Sequence, residues 1–382
     1  MGYQAAVDLG TTYTAAAVHR DGRVEVVWLG DRAAVIPSVV FVKPDGTAIT
    51  GEAANRQGSI EPARVAREFK RRMGDRVTII VGGMPFSAEG LTARILEAAL
   101  ARVSEREGGP PDHVAIAHPA NWGPYKLDLL RQAVRLAELG EMPVTFLTEP
   151  QAAAIHYATQ ERVEPGAVVA VYDLGGGTFD AAVLRRTDDG GYEVIGEPEG
   201  IEQLGGVDFD AAVLAHVDRS LGGAVARLDP DDPAVAMAVA RLRADCVDAK
   251  EVLSSDVDVT IPVAVPGITD SIRLTRVEFE TMIRPAISDS IAALRRAMRS
   301  ADVTPEDVNG ILLVGGSSRV PLVAQMVTSE LGRPVAVDAH PKHGVALGAA
   351  VWAARQSGAT GTGQLTVLPT AEDAELPVGV PS

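Results

Sequence analysis

The chain has 382 residues, of which 46% are hydrophobic and 23% charged, and its formal net charge is −16. This length accommodates two or three domains with sizeable cores, at roughly 150 residues for each domain. Because nucleic acids and anionic lipid surfaces recruit basic proteins, the acidity argues against nucleic-acid binding and against docking on a membrane.

The chain has a single cysteine, Cys246, and no run of 18 apolar residues. One cysteine excludes an internal disulfide, and the lack of a long apolar run argues against a membrane-spanning helix. The first residues, MGYQAAVDLG, begin a strand almost at once and lack the basic segment and apolar core of a signal peptide. We therefore expect a cytoplasmic protein.

The chain opens with a unit that recurs later. Residues 3–29 (YQAAVDLGTTYTAAAVHRDGRVEVVWL) predict a strand, a Gly/Thr turn, a second strand, an Asp-Gly hairpin and a third strand. Residues 168–195 (VVAVYDLGGGTFDAAVLRRTDDGGYEVI) repeat this order, so Asp8 and Asp173 occupy equivalent positions. An offset of 165 residues between them excludes arrays of short repeats. It indicates two related lobes, each opening on a hairpin whose tight turn faces the other.

Helices and strands alternate through the rest of both halves, which predicts an α/β protein with a sheet in each lobe. The predicted helices are 91–107, 124–139, 151–160, 206–221, 234–254, 276–301 and 344–356, and the predicted strands include 113–119 and 144–150. We assign lobe I to 1–163 plus 341–356 and lobe II to 164–340. Residues 357–382 are rich in Gly, Pro, Thr and acidic residues without periodicity, and predict a flexible tail or linker.

Each Asp-Leu-Gly loop places a carboxylate at the end of a buried strand. The glycine-rich turn that follows lets backbone N–H groups point into one concavity that can hold a phosphate, and the hydroxyls of Thr11, Thr12 and Thr178 add donors. Two such loops facing each other would bring Asp8 and Asp173 together across a cleft. Two carboxylates beside a polyphosphate need a cation between them, and Mg²⁺ with retained waters suits oxygen ligands.

Two further loops are less informative alone. GILLVGGSSRVPLV at 310–323 predicts a strand, a Gly-rich turn and a helix whose N-terminus favours anions. A tight strand-to-helix connection would use glycine in the same way. In HPKHG, His340 and His343 are three residues apart, but no further ligand residues surround them, so we expect an ordinary loop and no zinc site.

Five segments, taken in order, resemble one known family. They are VDLGTTYT (7–14), TEPQAAAIHY (148–157), YDLGGGTFD (172–180), LGGVDFD (204–210) and LLVGGSSRVP (312–321). Together they resemble the nucleotide-binding domain of the DnaK-type seventy-kilodalton heat-shock chaperones, a branch of the actin-like ATPase superfamily. The resemblance runs from residue 3 to about residue 355.

The resemblance implies a fold of class α/β, a duplicated actin-like ATPase fold with two ribonuclease H-like lobes and a nucleotide cleft between them. It places the outer subdomain of lobe I at about 32–90 and that of lobe II at about 207–282. The segment from Met73 to Leu91 is much shorter than the outer sheet of the family, so we expect the outer subdomain of lobe I to be trimmed.

The resemblance also implies site residues by position. Asp8 and Asp173 would hold a hydrated Mg²⁺ ion through its waters. The implied catalytic residues are Lys70, Glu149, Asp173, Thr178 and Asp180. Lys70 would reach the γ-phosphate, where a cation stabilises developing charge. By itself, the basic run REFKRR around Lys70 would predict a solvated face.

The implied nucleotide contacts are backbone and polar groups of the three loops and of one helix. They are Gly10, Thr11, Thr12, Tyr13, Gly175, Gly176, Gly177, Gly205, Gly206, Lys250, Ser254, Gly315, Gly316, Ser317 and Arg319. At the adenosine end, Val247 stands where the family has a Glu, and Glu251 stands where it often has a basic residue. We therefore expect adenine binding without the very tight affinity of the family.

Regulatory positions depart from the family as well. Pro119 matches the proline of the interdomain switch, but Leu127 replaces the arginine eight positions later. The adjacent Lys126 could substitute for it only if the loop shifts by one residue. Thr145 replaces a basic residue that the family uses to engage J-domain partners. In residues 357–382 we expect neither the acidic-hydrophobic linker nor the substrate-binding sandwich of the family.

The implied ligands are ATP or ADP with Mg²⁺, and the implied partners are a J-domain or nucleotide-exchange protein. We expect a monomer that hydrolyses ATP slowly with water. The alternative is a nucleotide-sensing scaffold or regulator without turnover, which the altered switch and adenosine contacts motivate. A small-molecule kinase and an actin-like filament are less favoured, because the sequence offers no sugar pocket and no polymerisation insert.

Overall fold

The computed structural model describes residues 2–140, 142–338 and 342–358 and the backbone of 366–367. Its strands in chain order are β1 (Gln4–Leu9), β2 (Tyr13–Arg20), β3 (Arg23–Val27), β4 (Ile36–Pro37), β5 (Val40–Val42), β6 (Ala48–Thr50), β7 (Val65–Ala66), β8 (Ile79–Val81), β9 (Met84–Phe86), β10 (His113–His118), β11 (Val144–Thr148), β12 (Val168–Leu174), β13 (Phe179–Arg186), β14 (Tyr192–Ile201), β15 (Asp258–Val265), β16 (Ile268–Thr275), β17 (Gly310–Val314), β18 (Val335–Val337) and β19 (Thr366–Val367).

The α-helices in chain order are α1 (Gly51–Ile60), α2 (Ala88–Glu107), α3 (Pro124–Leu136), α4 (Glu149–Gln160), α5 (Gly206–Ser220), α6 (Pro233–Val252), α7 (Arg276–Ser300), α8 (Pro321–Leu331) and α9 (Gly344–Gln356). Short 3₁₀ turns cover Phe69–Arg72 and Gly316–Arg319. No helix among the described residues is long and apolar enough to cross a membrane.

Two sheets repeat one topology, which confirms the predicted duplication. The first sheet has the order β11-β10-β1-β2-β3-β19, with β4 beside β2, and the second has the order β14-β13-β12-β17-β18. In each sheet an antiparallel three-strand meander continues through its first strand into two parallel strands. Asp8 and Asp173 each lie one residue before the end of that first strand. The two carboxylates therefore leave equivalent strand ends.

Helices α4 and α9 lie between the two sheets. Helix α9 packs on β1, β2 and β10, and α4 contacts α9 and the β12–β14 meander. The buried cluster around them is built largely from alanine and valine. Such small side chains let the two helices approach closely. Because α4 contacts both α9 and the second sheet, this crossing joins the two sheets behind the loops.

Smaller elements extend from each half. In the first half, β5 pairs with β6 and β7, α1 packs on β5, and β8 and β9 form a two-stranded hairpin. That hairpin is the regular structure between Met73 and α2, in keeping with the trimmed outer subdomain. In the second half, β15 and β16 pair, β15 packs on α6 and β16 contacts α7. The exact boundaries of the lobes stay predictions.

Helix α2 begins three residues earlier and α3 ends three residues earlier than predicted, and α4 begins two residues earlier. The sequence predicts a strand through residue 150, whereas the strand ends at Thr148 and the helix begins at Glu149. The cause is a capping box, in which the Thr148 hydroxyl accepts from the Gln151 N–H and the Gln151 side chain accepts from the Thr148 N–H at 3.1 Å. This cap places Glu149 on the first turn of α4, at the end of β11.

The predicted flexible tail, 357–382, lies mostly outside the described residues. Within it, Thr366–Val367 forms β19, which pairs in parallel with β3. His340 in the HPKHG loop also lies outside the described residues. His343 in the same loop is buried and precedes α9.

The close crossing of α4 and α9 predicts that Gly348→Ala destabilises the protein. A Cβ at position 348 would stand 1.8 Å from the Ala152 carbonyl oxygen, which is backbone and cannot swing away. We expect a loss of roughly 2–4 kcal/mol in the free energy of unfolding, measured by urea denaturation. The control is Gly109→Ala, because a Cβ there meets nothing within 4 Å. Equal unfolding midpoints for the two variants would contradict the packing at this crossing.

Candidate functional site

The loops after β1 and β12 touch each other across the cleft. A Cβ on Gly176 would lie 2.0 Å from Thr12 Oγ1, and a Cβ on Gly177 would lie 2.4 Å from Thr11 Cγ2. Side chains at these glycines would separate the loops, so glycine is required by the contact. The structure therefore brings the predicted residues of loop one (Gly10–Tyr13) and loop two (Gly175–Thr178) together.

The third Gly-rich loop leans on the second. Gly315 has φ +82, a left-handed conformation that favours glycine, and a Cβ there would lie 2.4 Å from the Leu174 carbonyl oxygen. The Ser317 hydroxyl donates to the Gly175 carbonyl at 2.9 Å. Gly205, just before α5, approaches the same loop, since a Cβ there would lie 2.5 Å from Gly177 N. Loop two is thus held from two sides.

Lys70 and Glu149 form a buried ion pair beside these loops. Lys70 Nζ lies 2.6 Å from Glu149 Oε1, and the two side chains are 11% and 7% exposed. Burial disfavours the Lys70 ammonium, but Glu149, Asp8 and Asp180 outweigh this effect and raise its pKa. Lys70 is therefore held in its charged form, and its side chain does not lie on a solvated face.

Three aspartates face this single ammonium. Burial and then Glu149 raise the pKa of Asp8 to about 7, although Lys70 opposes the shift. The same two causes raise the pKa of Asp180 to about 7, against Lys70 and a hydrogen bond from Thr178. Burial, Glu149, Asp180 and Asp8 raise the pKa of Asp173 well above its ordinary value. The site therefore carries more carboxylate than its own cation can neutralise.

This donor set fits a hydrated magnesium ion. The carboxylates of Asp8, Asp173, Asp180 and Glu149 all offer oxygen ligands. Asp180 Oδ1 is buried with no hydrogen-bond partner among the described residues. No group of three or more His, Cys, Asp or Glu within the described part of the chain is placed to hold a metal directly. An ion that keeps its waters suits such carboxylates, because Mg²⁺ dehydrates reluctantly.

The predicted adenosine residues are brought together only in part. Lys250 on α6 pairs with Asp210 on α5 at 2.8 Å and donates to the Gly206 carbonyl at 3.4 Å. Ser254 follows α6, and Arg319 is exposed at the end of its 3₁₀ turn. Among the described residues, neither makes a hydrogen bond or ion pair to the phosphate loops. Of Lys250, Ser254 and Arg319, Lys250 alone is tied to the site within the described part of the chain.

Several contacts at the site were not predicted. Arg71 pairs with Asp208 at 3.0 Å and so joins the two halves beside Lys70. The Ser38 hydroxyl donates to the Gly10 carbonyl at 2.7 Å and supports loop one. Asp208 lies in the quoted LGGVDFD segment and Arg71 in REFKRR, so the charges were visible in the sequence, but their pairing was not.

A further contact between the two halves lies near Pro119 in the chain, at the position that the sequence resemblance assigned to the switch of the family. Lys126 on α3 forms an ion pair with Glu202, just after β14. Leu127, at the position of the missing arginine, cannot make such a pair. The adjacent lysine therefore supplies a cation that reaches the other half of the molecule.

The raised pKa of Asp180 predicts a pH-dependent effect of Asp180→Asn on stability. Between about pH 4 and 7 the folded protein retains a proton that the unfolded chain releases, so this carboxyl makes stability fall as pH rises through that window. Without metal or nucleotide, the variant should gain about 1–3 kcal/mol more at pH 8 than at pH 5, a discounted value for a three-unit shift. Urea denaturation in EDTA measures this.

The control for this measurement is Asp188→Asn, which removes an exposed carboxylate from the β13–β14 turn. It should change stability equally at both pH values. A gain for Asp180→Asn that is the same at pH 5 and pH 8 would contradict the assignment.

The sequence matches the family model described as Hsp70 protein over residues 5–372. It is 35% identical over 369 residues to the Chaperone protein HscA of Pectobacterium carotovorum subsp. carotovorum (strain PC1) and 36% identical over 371 residues to that of Salmonella agona (strain SL483). It is 34% identical over 369 residues to the Chaperone protein HscA homolog of Pseudomonas fluorescens (strain SBW25).

Each of these alignments covers 91% of this chain and 57% of the relative, so the chain spans little more than half the length of the curated relatives it matches. The matched region includes both loops that meet in the cleft and the residues of the buried ion pair. The chain belongs to the Hsp70 protein family.

Proposed function

We propose that the chain binds Mg-ATP and ADP between its lobes and hydrolyses ATP slowly with water. The observation that carries this proposal is the buried Lys70–Glu149 pair, which lies among Asp8, Asp173 and Asp180 where two glycine-rich loops meet. An excess of carboxylates around one ammonium, next to loops rich in backbone donors, suits a magnesium-bound polyphosphate.

Binding would draw on all three loops. Backbone N–H groups of the first two loops would hold the β- and γ-phosphates from both sides. Lys250, Ser254 and the third loop would contact the adenosine. Lys250 already pairs with Asp210, so part of its charge is committed within the protein. This supports moderate nucleotide affinity.

Asp8 and Asp173, which leave equivalent strand ends, would hold a magnesium ion through its waters. The ion would supply positive charge that neutralises the polyphosphate. Asp8 and Asp173 would release the protons that their raised pKa values indicate in the isolated protein. Their protonation would therefore compete with ion binding.

The hydrolysis itself would use the buried charged groups of the site. Lys70 would turn from Glu149 to the γ-phosphate and balance the charge that develops there. Glu149 and Asp180 would orient the attacking water, and Asp180, with a pKa of about 7, would accept its proton. The water oxygen bonds to the γ-phosphorus, and the bond to the β–γ bridging oxygen breaks. That oxygen leaves with the electron pair as part of ADP.

One observation favours a second candidate function, a nucleotide sensor without turnover. The cation that hydrolysis needs is held by Glu149 at 2.6 Å, and two further ion pairs, Arg71–Asp208 and Lys126–Glu202, join the lobes. Binding that rearranges these pairs would change lobe closure whether or not ATP is cleaved. Stabilisation by Mg-ATP without phosphate release would identify this function.

The relatives are named as chaperones, and the alignments cover 91% of this chain and 57% of each relative. We propose that the shared part provides nucleotide-controlled closure in a cytoplasmic protein. A J-domain or exchange protein would be its regulatory partner, and the chain would act as a monomer.

Removing the Lys70 ammonium should abolish most of the activity. Lys70→Ala should lower the rate of phosphate release in single-turnover assays by roughly 10²–10³-fold, the effect of losing one preorganised charge-stabilising group. Lys43→Ala, which removes an exposed lysine from the β5–β6 turn, is the matched control and should retain the rate.

Lys70→Ala leaves the Glu149 carboxylate buried without its cation. The double variant Lys70→Met, Glu149→Gln therefore removes both charges of the pair and tests whether activity is lost without an unpaired buried charge. It should unfold near the wild-type temperature and still fail to release phosphate. Wild-type rates in both variants would rule out this hydrolytic role.

Magnesium removal should weaken triphosphate binding. With EDTA, the Kd for ATP in calorimetry should rise by about tenfold or more, because backbone donors and Lys70 alone face a polyanion in an acidic cleft. Asp8→Asn should reproduce most of this loss in the presence of magnesium, whereas Asp188→Asn should not. An affinity indifferent to EDTA would overturn the proposed metal site.

A further inference from the structure

Lys342 lies beside the first phosphate loop, in the turn that precedes α9. Its Nζ is 4.9 Å from the centre of the Tyr13 ring, within the range of a cation–π contact. Tyr13 directly follows Thr12 and opens β2. Although Lys342 is far from this loop in sequence, the fold places its exposed ammonium over it.

The Tyr13 ring is half-buried and points toward the second lobe. Burial, followed by Glu251, Asp248 and Asp210, raises the pKa of its hydroxyl. Those three acids lie on α5 and α6. Lys342 therefore stands on the first-lobe side of the cleft, on a ring whose hydroxyl faces an acidic wall.

The charge of Lys342 is not used within the described part of the chain. The buried cations of the site are paired: Lys70 with Glu149, Lys250 with Asp210, and Arg71 with Asp208. Lys342 makes no ion pair and no hydrogen bond through its ammonium among the described residues. An uncommitted cation beside a phosphate loop, in a chain of net charge −16, is available to an anionic ligand.

We propose that Lys342 binds the polyphosphate chain of the nucleotide and favours ATP over AMP. This assignment rests on the proposed nucleotide binding. A lysine ammonium is a compact point charge on a flexible stem, and the Tyr13 ring holds that stem over the loop before the ligand arrives. Phosphate oxygens would then replace the ring as the partner of the ammonium.

The test compares Lys342→Ala with Lys43→Ala, which removes an exposed lysine from the β5–β6 turn. Competition binding gives the Kd values for ATP, ADP and AMP in magnesium at low and moderate salt. Lys342→Ala should weaken ATP binding roughly 3–20-fold, ADP less, and AMP by under about twofold. It should also reduce the salt dependence of ATP binding. Lys342→Arg should retain affinity, and Lys43→Ala should match the wild type.

These measurements distinguish a failure of the proposed role of Lys342 from a failure of the proposed nucleotide binding. If the wild type binds no nucleotide, the proposed function fails and Lys342 has no such role. If the wild type binds ATP and Lys342→Ala binds it equally well, only the role of Lys342 is overturned. An equal loss for ATP and AMP would show that Lys342 acts by supporting Tyr13 and not through phosphate. Thermal unfolding of each variant confirms that it is folded.

Discussion

The cleft must hold more carboxylates than its own cations neutralise, and this constraint governs the site. Lys70 balances one negative charge, and Asp8, Asp173 and Asp180 stay in excess around it. In the isolated protein their raised pKa values allow protons to relieve the repulsion. A ligand that carries a divalent cation would relieve it differently, by displacing protons. On the proposed function, nucleotide, metal and proton binding would therefore be coupled in one small volume.

The fold keeps this volume small by packing the glycines of loop two against the Thr11 and Thr12 side chains of loop one. Strands β1 and β12 place Asp8 and Asp173 at equivalent positions, and the absence of side chains on Gly176 and Gly177 lets the loops approach closely. Loop three and the segment before α5 support loop two from behind. Since each support is a short strand-to-turn connection, the carboxylate positions depend on the two sheets and not on mobile side chains.

The sequence predicted those parts of the fold that local patterns determine. The repeated strand–turn–strand units, most helices and the facing loops follow from periodicity, hairpin residues and glycine placement. The predicted start of α4 was two residues too late. The apolar run favours a strand through residue 150, but the capping box between Thr148 and Gln151 begins the helix at Glu149. The short β8–β9 hairpin was not predicted either, since neither strand exceeds three residues.

The site was predictable as a set of residue types but not as a set of partners. The Lys70–Glu149 bond joins residues 79 positions apart, and Arg71–Asp208 joins residues 137 positions apart. Such pairings depend on how the sheets are stacked, which no local pattern encodes. Lys342 was not predicted for the same reason. In the HPKHG segment only the histidines suggested a site, whereas the lysine matters through its contact with Tyr13, which is distant in the chain.

The crossing of α4 and α9 also constrains how the halves can move. At Gly348 the two helices meet with no side chain between them, and the Ala152 carbonyl fills the space that a Cβ would occupy. Helices in such contact can turn about the meeting point, but they cannot slide without colliding with neighbouring side chains. Helix α9 packs on the first sheet, and α4 begins after β11 of that sheet and contacts the second sheet, so the crossing would act as a pivot between the two. A small rotation there would be magnified at the far strand ends, where it would change the separation of Asp8 and Asp173.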